Sequence, residues 1–145
     1  MNTSQRGDIA RAYVLAALLE NGKEVWSPAG EGGRSDLGFR EPAGRFFRVQ
    51  CKMGWLAQGA VTFATCSIDS RSGETTIRRP YHGEVEFFGV YCEGTGKVYL
   101  VPVGDVPPTY GRLRVDPPRN NQRTRIRWAK DYEIASGKVE LVIVP

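Results

Sequence analysis

Arg45-Phe46-Phe47-Arg48-Val49-Gln50-Cys51-Lys52 alternates apolar and polar side chains from Phe47 onward. Successive side chains of a strand point to opposite faces, so Phe47, Val49 and Cys51 share one face, and Arg48, Gln50 and Lys52 the other. The first set makes a core face. The second gathers a guanidinium, an amide oxygen and an ammonium. Upstream, Ser35 to Arg40 reads as a partner strand and Glu41-Pro42-Ala43-Gly44 as the turn of a hairpin. Pairing in that hairpin brings the carboxylate of Asp36 alongside Gln50.

Working outward, Gln5 to Asn21 reads as an amphipathic helix, with Ser4 as its cap, Gly22 past its end, and Ile9, Ala12, Tyr13, Ala16 and Leu19 as its apolar positions. Lys23 to Ser27 is a short strand stopped by Pro28, and Ala29 to Arg34 a glycine-rich loop that lacks the pattern of a nucleotide cradle. Ala60 to Ser67 is a further strand, and the polar stretch Ile68 to Pro80 is expected to be a surface loop. Val85 to Cys92 and Lys97 to Val103 form a second hairpin around Glu93-Gly94-Thr95-Gly96. Two proline pairs, Pro107-Pro108 and Pro117-Pro118, bracket a short extended piece. Ile126 to Ile134 is expected to be a final helix and Val139 to Val144 a last strand. The expected architecture is one α/β domain over residues 1–145, a mixed sheet with an N-terminal helix and flanking helices.

Composition bounds the function. At 145 residues, 41% hydrophobic and 25% charged, the chain suits one packed core. Its longest apolar run, near Tyr13 to Leu19, falls far short of the ~20 residues of a membrane span. Met1 to Arg6 has no apolar core of a secretory signal, so a cytoplasmic setting is expected. Cys51, Cys66 and Cys92 lie far apart and His82 is the only histidine, which argues against a disulfide scaffold, a zinc site and a Ser-His-Asp mechanism. The net charge of +4 is local: Arg112, Arg114, Arg119, Arg123, Arg125, Arg127 and Lys130 crowd one segment against the single acid Asp116. A concentrated basic segment suits a polyanion, although a solvated surface run reads the same way.

A carboxylate (Asp36), an amide oxygen (Gln50) and a backbone carbonyl (Cys51) suit a hard divalent cation such as Mg²⁺ or Mn²⁺. A lysine beside it, Lys52, can orient an attacking water or offset charge on a phosphorane. By themselves these residues describe a turn carboxylate and two solvated strand residues equally well. Tyr81 and His82 read as an exposed loop pair, Glu84 and Glu86 as the solvated side of a strand, and Trp55 and Trp128 as packing or base-stacking residues.

The spacing Asp36…Gln50-Cys51-Lys52 on a hairpin after an N-terminal helix resembles the PD-(D/E)XK nuclease superfamily. The nearer resemblance is to its homing endonucleases of group I introns, which carry glutamine in the middle position. Further phrases in order are Gly7-Asp8-Ile9-Ala10, Asp36-Leu37, Val90-Tyr91-Cys92 with Val98-Tyr99-Leu100-Val101-Pro102, Asn120-Asn121-Gln122, and Ile126-Arg127-Trp128-Ala129-Lys130-Asp131-Tyr132. The resemblance implies a restriction-endonuclease-like fold, Mg²⁺-dependent cleavage of double-stranded DNA, and a homo-oligomer, dimer or tetramer. It implies Asp36 and Gln50 as metal-holding residues and Lys52 as the catalytic lysine, with the basic segment holding DNA. Relatives often place a glutamate on the first helix where this chain has Arg11. Asp8, one turn earlier, is a further candidate metal ligand; Glu20 lies farther along. The alternative is a catalytically impaired DNA-binding module of the same fold, and a blander reading is an α/β interaction domain.

Overall fold

The computed structural model describes residues 2–30, 35–70, 76–81, 83–120 and 124–134. The chain opens with α1 (Thr3–Glu20), followed by β1 (Glu24–Trp26), β2 (Leu37–Arg40), β3 (Phe46–Ala57), β4 (Ala60–Ala64), β5 (Cys66–Ser70) and β6 (Thr76–Pro80). After these come β7 (Phe87–Cys92), β8 (Lys97–Pro102), β9 (Tyr110–Arg114) and β10 (Glu133–Ile134). Eight strands form one mixed sheet in the order β1-β2-β3-β7-β8-β10, with β4 and β9 continuing from the far half of β3. The β3·β7 pair is parallel, and the other strand pairs are antiparallel. No helix among the described residues is long and apolar enough to cross a membrane.

The alternation that decides the fold is present in β3, where Phe47, Val49 and Cys51 are buried and Arg48, Gln50 and Lys52 are exposed or half-buried. α1 packs on the buried face, its Ala10, Val14, Ala17 and Leu18 joining Leu37, Val49 and Cys51 in one apolar cluster. A Cβ on Gly89 of β7 would come within 2.6 Å of Val14 Cγ1, so the helix sits this close only because residue 89 has no side chain. A second cluster, with Val61, Phe63, Tyr81, Phe88, Val90 and Leu113, fills the other face. β3 runs longer than the hairpin reading predicts, because after Gly54 it leaves β7 and pairs with β4.

Several expectations are corrected. The helix starts earlier, capped by Asn2 rather than Ser4: the Asn2 side chain accepts the Gln5 N–H at 2.9 Å, and the Gln5 side chain accepts the Asn2 N–H at 3.0 Å. Its buried stripe is offset from the expected one, leaving Tyr13 and Leu19 half exposed at 50% and 54%. Apolar residues surround this helix, so spacing alone picks out more than one stripe.

Most of the expected loop at Ile68–Pro80 is instead strand: β5 and β6 pair antiparallel from Cys66↔Pro80 to Ser70↔Thr76. Ile126–Ile134 is not a helix. Its backbone is drawn into the sheet, with the Arg127 carbonyl accepting the Arg114 N–H at 2.7 Å and the Tyr132 carbonyl accepting the Leu100 N–H at 2.9 Å. Only a 3₁₀ turn at Ala129–Asp131 remains, preceded by Arg125 in a left-handed conformation, φ 59°. Val139–Val144 lies outside the described residues. Cys51, Cys66 and Cys92 are buried free thiols.

Candidate active site

Asp36 sits one residue ahead of β2, where the ladder Leu37↔Val49 continued by one step sets it opposite Gln50. Its N–H donates to the Val49 carbonyl at 2.8 Å, and its Oδ2 accepts the Cys51 N–H at 3.0 Å. The side chain thus supplies the rung that a further β2 residue would have made. Both bonds go to β3, so the carboxylate is placed by main chain rather than by a flexible partner. Its other oxygen accepts no hydrogen bond among the described residues.

Gln50 and Lys52 are half-buried on the face away from α1, in register with Phe88 and Val90 of β7. Lys52 Nζ lies 4.6 Å from the centroid of the Tyr81 ring. Tyr81 is buried, at 6% exposure, not the exposed loop residue its sequence context suggests. His82 lies outside the described residues.

Electrostatics at Asp36 are divided. Burial raises its pKa from the ordinary carboxylate value, while the Cys51 N–H, Arg11 and Lys52 each pull it down to a smaller extent. Burial, with Asp36 nearby, also pushes the Cys51 thiol far up, so this cysteine stays protonated and inert. Arg11 therefore reaches the site from α1, and its guanidinium also donates to Ser27 Oγ at 3.4 Å. Asp8 is exposed and has no hydrogen bond or ion pair among the described residues, nor is it among the charges that act on Asp36. Arg48, next along the polar face, is engaged by Glu86, whose carboxylate accepts its backbone N–H at 2.7 Å and its Nε–H at 3.2 Å.

Among the described residues no three acidic, histidine or cysteine side chains cluster as a metal-holding group. The donors present are one carboxylate with an oxygen to spare and one neutral amide. That set fits a single hard cation held with help from water, and replacing an anion by an amide weakens the attraction.

The basic segment forms a separate feature. Arg112, Arg114, Arg119, Arg125 and Arg127 line an open groove of about 730 Å³ against one acid, Asp116. Lys130 borders a neighbouring hollow beside Trp128, and Arg123 lies outside the described residues. Arg114 is tied inward, its Nε–H donating to the Asp116 carbonyl at 3.1 Å.

A family described as PD-(D/E)XK endonuclease matches residues 1–135. The chain belongs to the PD-(D/E)XK endonuclease family. It is accordingly a nuclease, and its N-terminal helix and large mixed sheet are a restriction-endonuclease-like fold. The structure of a bacterial homing endonuclease, I-Ssp6803I, is similar with a TM-score of 0.73 and 23% identity over 99% of this chain and 94% of that one. No curated protein matches this nuclease. Two residues of its site escape sequence reading: Tyr81, whose contact with Lys52 exists only in the folded chain, and the proximity of Arg11 to Asp36. The only signal for the second is an arginine where the family resemblance leads one to expect an acid.

Proposed function

We propose that this nuclease is a divalent-metal-dependent endodeoxyribonuclease that hydrolyses phosphodiester bonds of double-stranded DNA, of the homing type. The observation that carries the reading is the Asp36 carboxylate fastened to the peptide that joins Gln50 to Cys51, with Lys52 next along the strand. Asp36, Gln50 and the Cys51 carbonyl would hold Mg²⁺ or Mn²⁺, which when bound supplies Lewis-acid polarisation of the phosphate and a more acidic water. Lys52 orients the attacking water and offsets charge that develops on the phosphorus oxygens. Gln50, being neutral, keeps the site from repelling the phosphate. The homing type is supported by the ordered run of phrases in the sequence and by the similar fold of a bacterial homing endonuclease.

The arginine groove is the proposed DNA-holding surface, since each neutralised phosphate releases counterions. Trp55, Thr62 and Arg112 stand in one row across β3, β4 and β9. Trp55 and Tyr110, 41% and 42% exposed, meet edge to face at 6.3 Å. An exposed aromatic pair beside arginines suits a nucleic acid better than another basic copy of the same surface. The homo-oligomer, dimer or tetramer, is carried by the family resemblance and is tested by sedimentation.

The test is incubation of supercoiled DNA with wild type, Asp36→Ala and Lys52→Ala, with Mg²⁺ and with chelator. Metal-dependent nicking lost in both variants is the expected result. Binding without cleavage across several metals and DNA substrates would overturn it in favour of the second reading, a DNA-binding module, which the cation Arg11 beside Asp36 favours.

A further inference from the structure

A lysine side chain on a strand face has many rotamers, and something must select one if its ammonium is to act at a fixed point. For Lys52 that selector is an aromatic ring. Lys52 Nζ lies 4.6 Å from the Tyr81 ring centroid, well inside the distance at which a ring face attracts a cation. The ring is itself immobilised: Tyr81 is 6% exposed and stands edge-on to Phe88, 5.9 Å away at 88°. Its carbonyl accepts the N–H groups of Glu84 at 3.0 Å and Val85 at 3.3 Å, which tightens the turn into β7. Phe88 in turn pairs with Gln50 across β3 and β7. The chain of contacts therefore runs from the Gln50 backbone through Phe88 and Tyr81 back to the Lys52 ammonium.

We infer that Tyr81 is a positioning residue for Lys52: its buried ring holds the ammonium on the strand face shared with Gln50, where the scissile phosphate would lie. The inference rests on the reading of Lys52 as the site's lysine. The contact in the structure is with the ring. Phenylalanine should therefore substitute and leucine should not.

The experiment combines single-turnover cleavage of supercoiled DNA in Mg²⁺ with proton NMR of the Lys52 ε-methylene. Tyr81→Leu is expected to lower the cleavage rate about tenfold with little change in the DNA concentration for half-saturation, and Tyr81→Phe to stay within about twofold. In the Lys52→Ala background, Tyr81→Leu should add nothing, because the group it positions is gone. The ε-methylene should show an upfield ring-current shift in wild type and Tyr81→Phe that vanishes in Tyr81→Leu. Equal losses in both Tyr81 variants would overturn the inference by placing the effect on the hydroxyl, and a Tyr81→Leu loss that persists in Lys52→Ala would overturn it by showing that the ring serves only the core. An absent ring-current shift overturns it directly. If the shift is present but Lys52→Ala cleaves like wild type, the reading of Lys52 fails, and the positioning role falls with it while the contact stands.

Discussion

Asp36 and Cys51 are joined by a hydrogen bond of 3.0 Å in which the carboxylate accepts a main-chain N–H of β3. The acid is therefore registered to the strand that carries the amide and the lysine, and a shift of either strand by one residue would part it from both. The same bond makes the side chain at position 36 part of the sheet as well as part of the site.

Acid sensitivity follows from Asp36. Burial raises its pKa above the ordinary value near 3.9, with Arg11 among the groups that oppose the rise. Only the ionised carboxylate can hold a cation through both charge and lone pairs. Cleavage should therefore fade, as pH falls, earlier than an ordinary aspartate would allow, and Arg11→Ala should move that limb to still higher pH. Rate against pH at saturating Mg²⁺ checks this; a limb that moves down in Arg11→Ala removes Arg11 from the site. The stability consequence has the opposite sign from a paired carboxylate. Folding favours the protonated form, so stability from this group is full below the unfolded value and is lost as pH rises through the folded one.

Arg11→Glu tests the helix position. The substitution exchanges a cation beside Asp36 for an anion, so Mg²⁺ or Mn²⁺ should bind several-fold tighter in calorimetry without DNA. Unchanged or weaker binding would mean that residue 11 does not face the metal-holding oxygens.

The arginine groove makes a salt-dependence prediction. Removing Arg112 and Arg127 together should weaken DNA binding evenly across sequences and lower the slope of log affinity against log salt by about two. A slope that stays put, measured by fluorescence anisotropy, would assign these residues to solvent.

Gly89→Ala tests the packing of α1 on the sheet. The new methyl would meet Val14 Cγ1 at 2.6 Å, an overpacked contact worth about 1–3 kcal/mol of stability in urea unfolding. Adding Val14→Ala should return part of the loss, because it removes the atoms that collide. Strict additivity of the two losses would point to a cause other than the contact.

How much of this was legible before folding depends on where the information sits. β3 and the hairpin β7·β8 were readable because alternation and a Gly-containing turn are local signals. The placement of Asp36 opposite Gln50 was readable for the same reason, since hairpin register follows from sequence. β5·β6 was not, because Ile68 and Ile77 are its few apolar residues in a stretch of hydroxyl and charged ones, and that composition reads as loop. The segment Ile126–Ile134 misled because its Arg127 and Tyr132 carbonyls are claimed by Arg114 of β9 and Leu100 of β8, a demand that no local signal carries. Tyr81 was hidden for a deeper reason: its partner Lys52 lies on another strand, and no periodicity within either segment encodes their meeting.

The double allegiance of β3 has a consequence for redesign. One unbroken strand pairs with β2 and β7 over the half that holds Gln50 and Lys52, then with β4 over the half that carries Trp55. Among the described residues, this shared strand leaves no seam between the half of the proposed cutting site and the half of the proposed DNA-holding surface. Retargeting it would have to proceed by exchanging single exposed side chains such as Trp55, Tyr110 and Arg112, leaving the shared backbone whole.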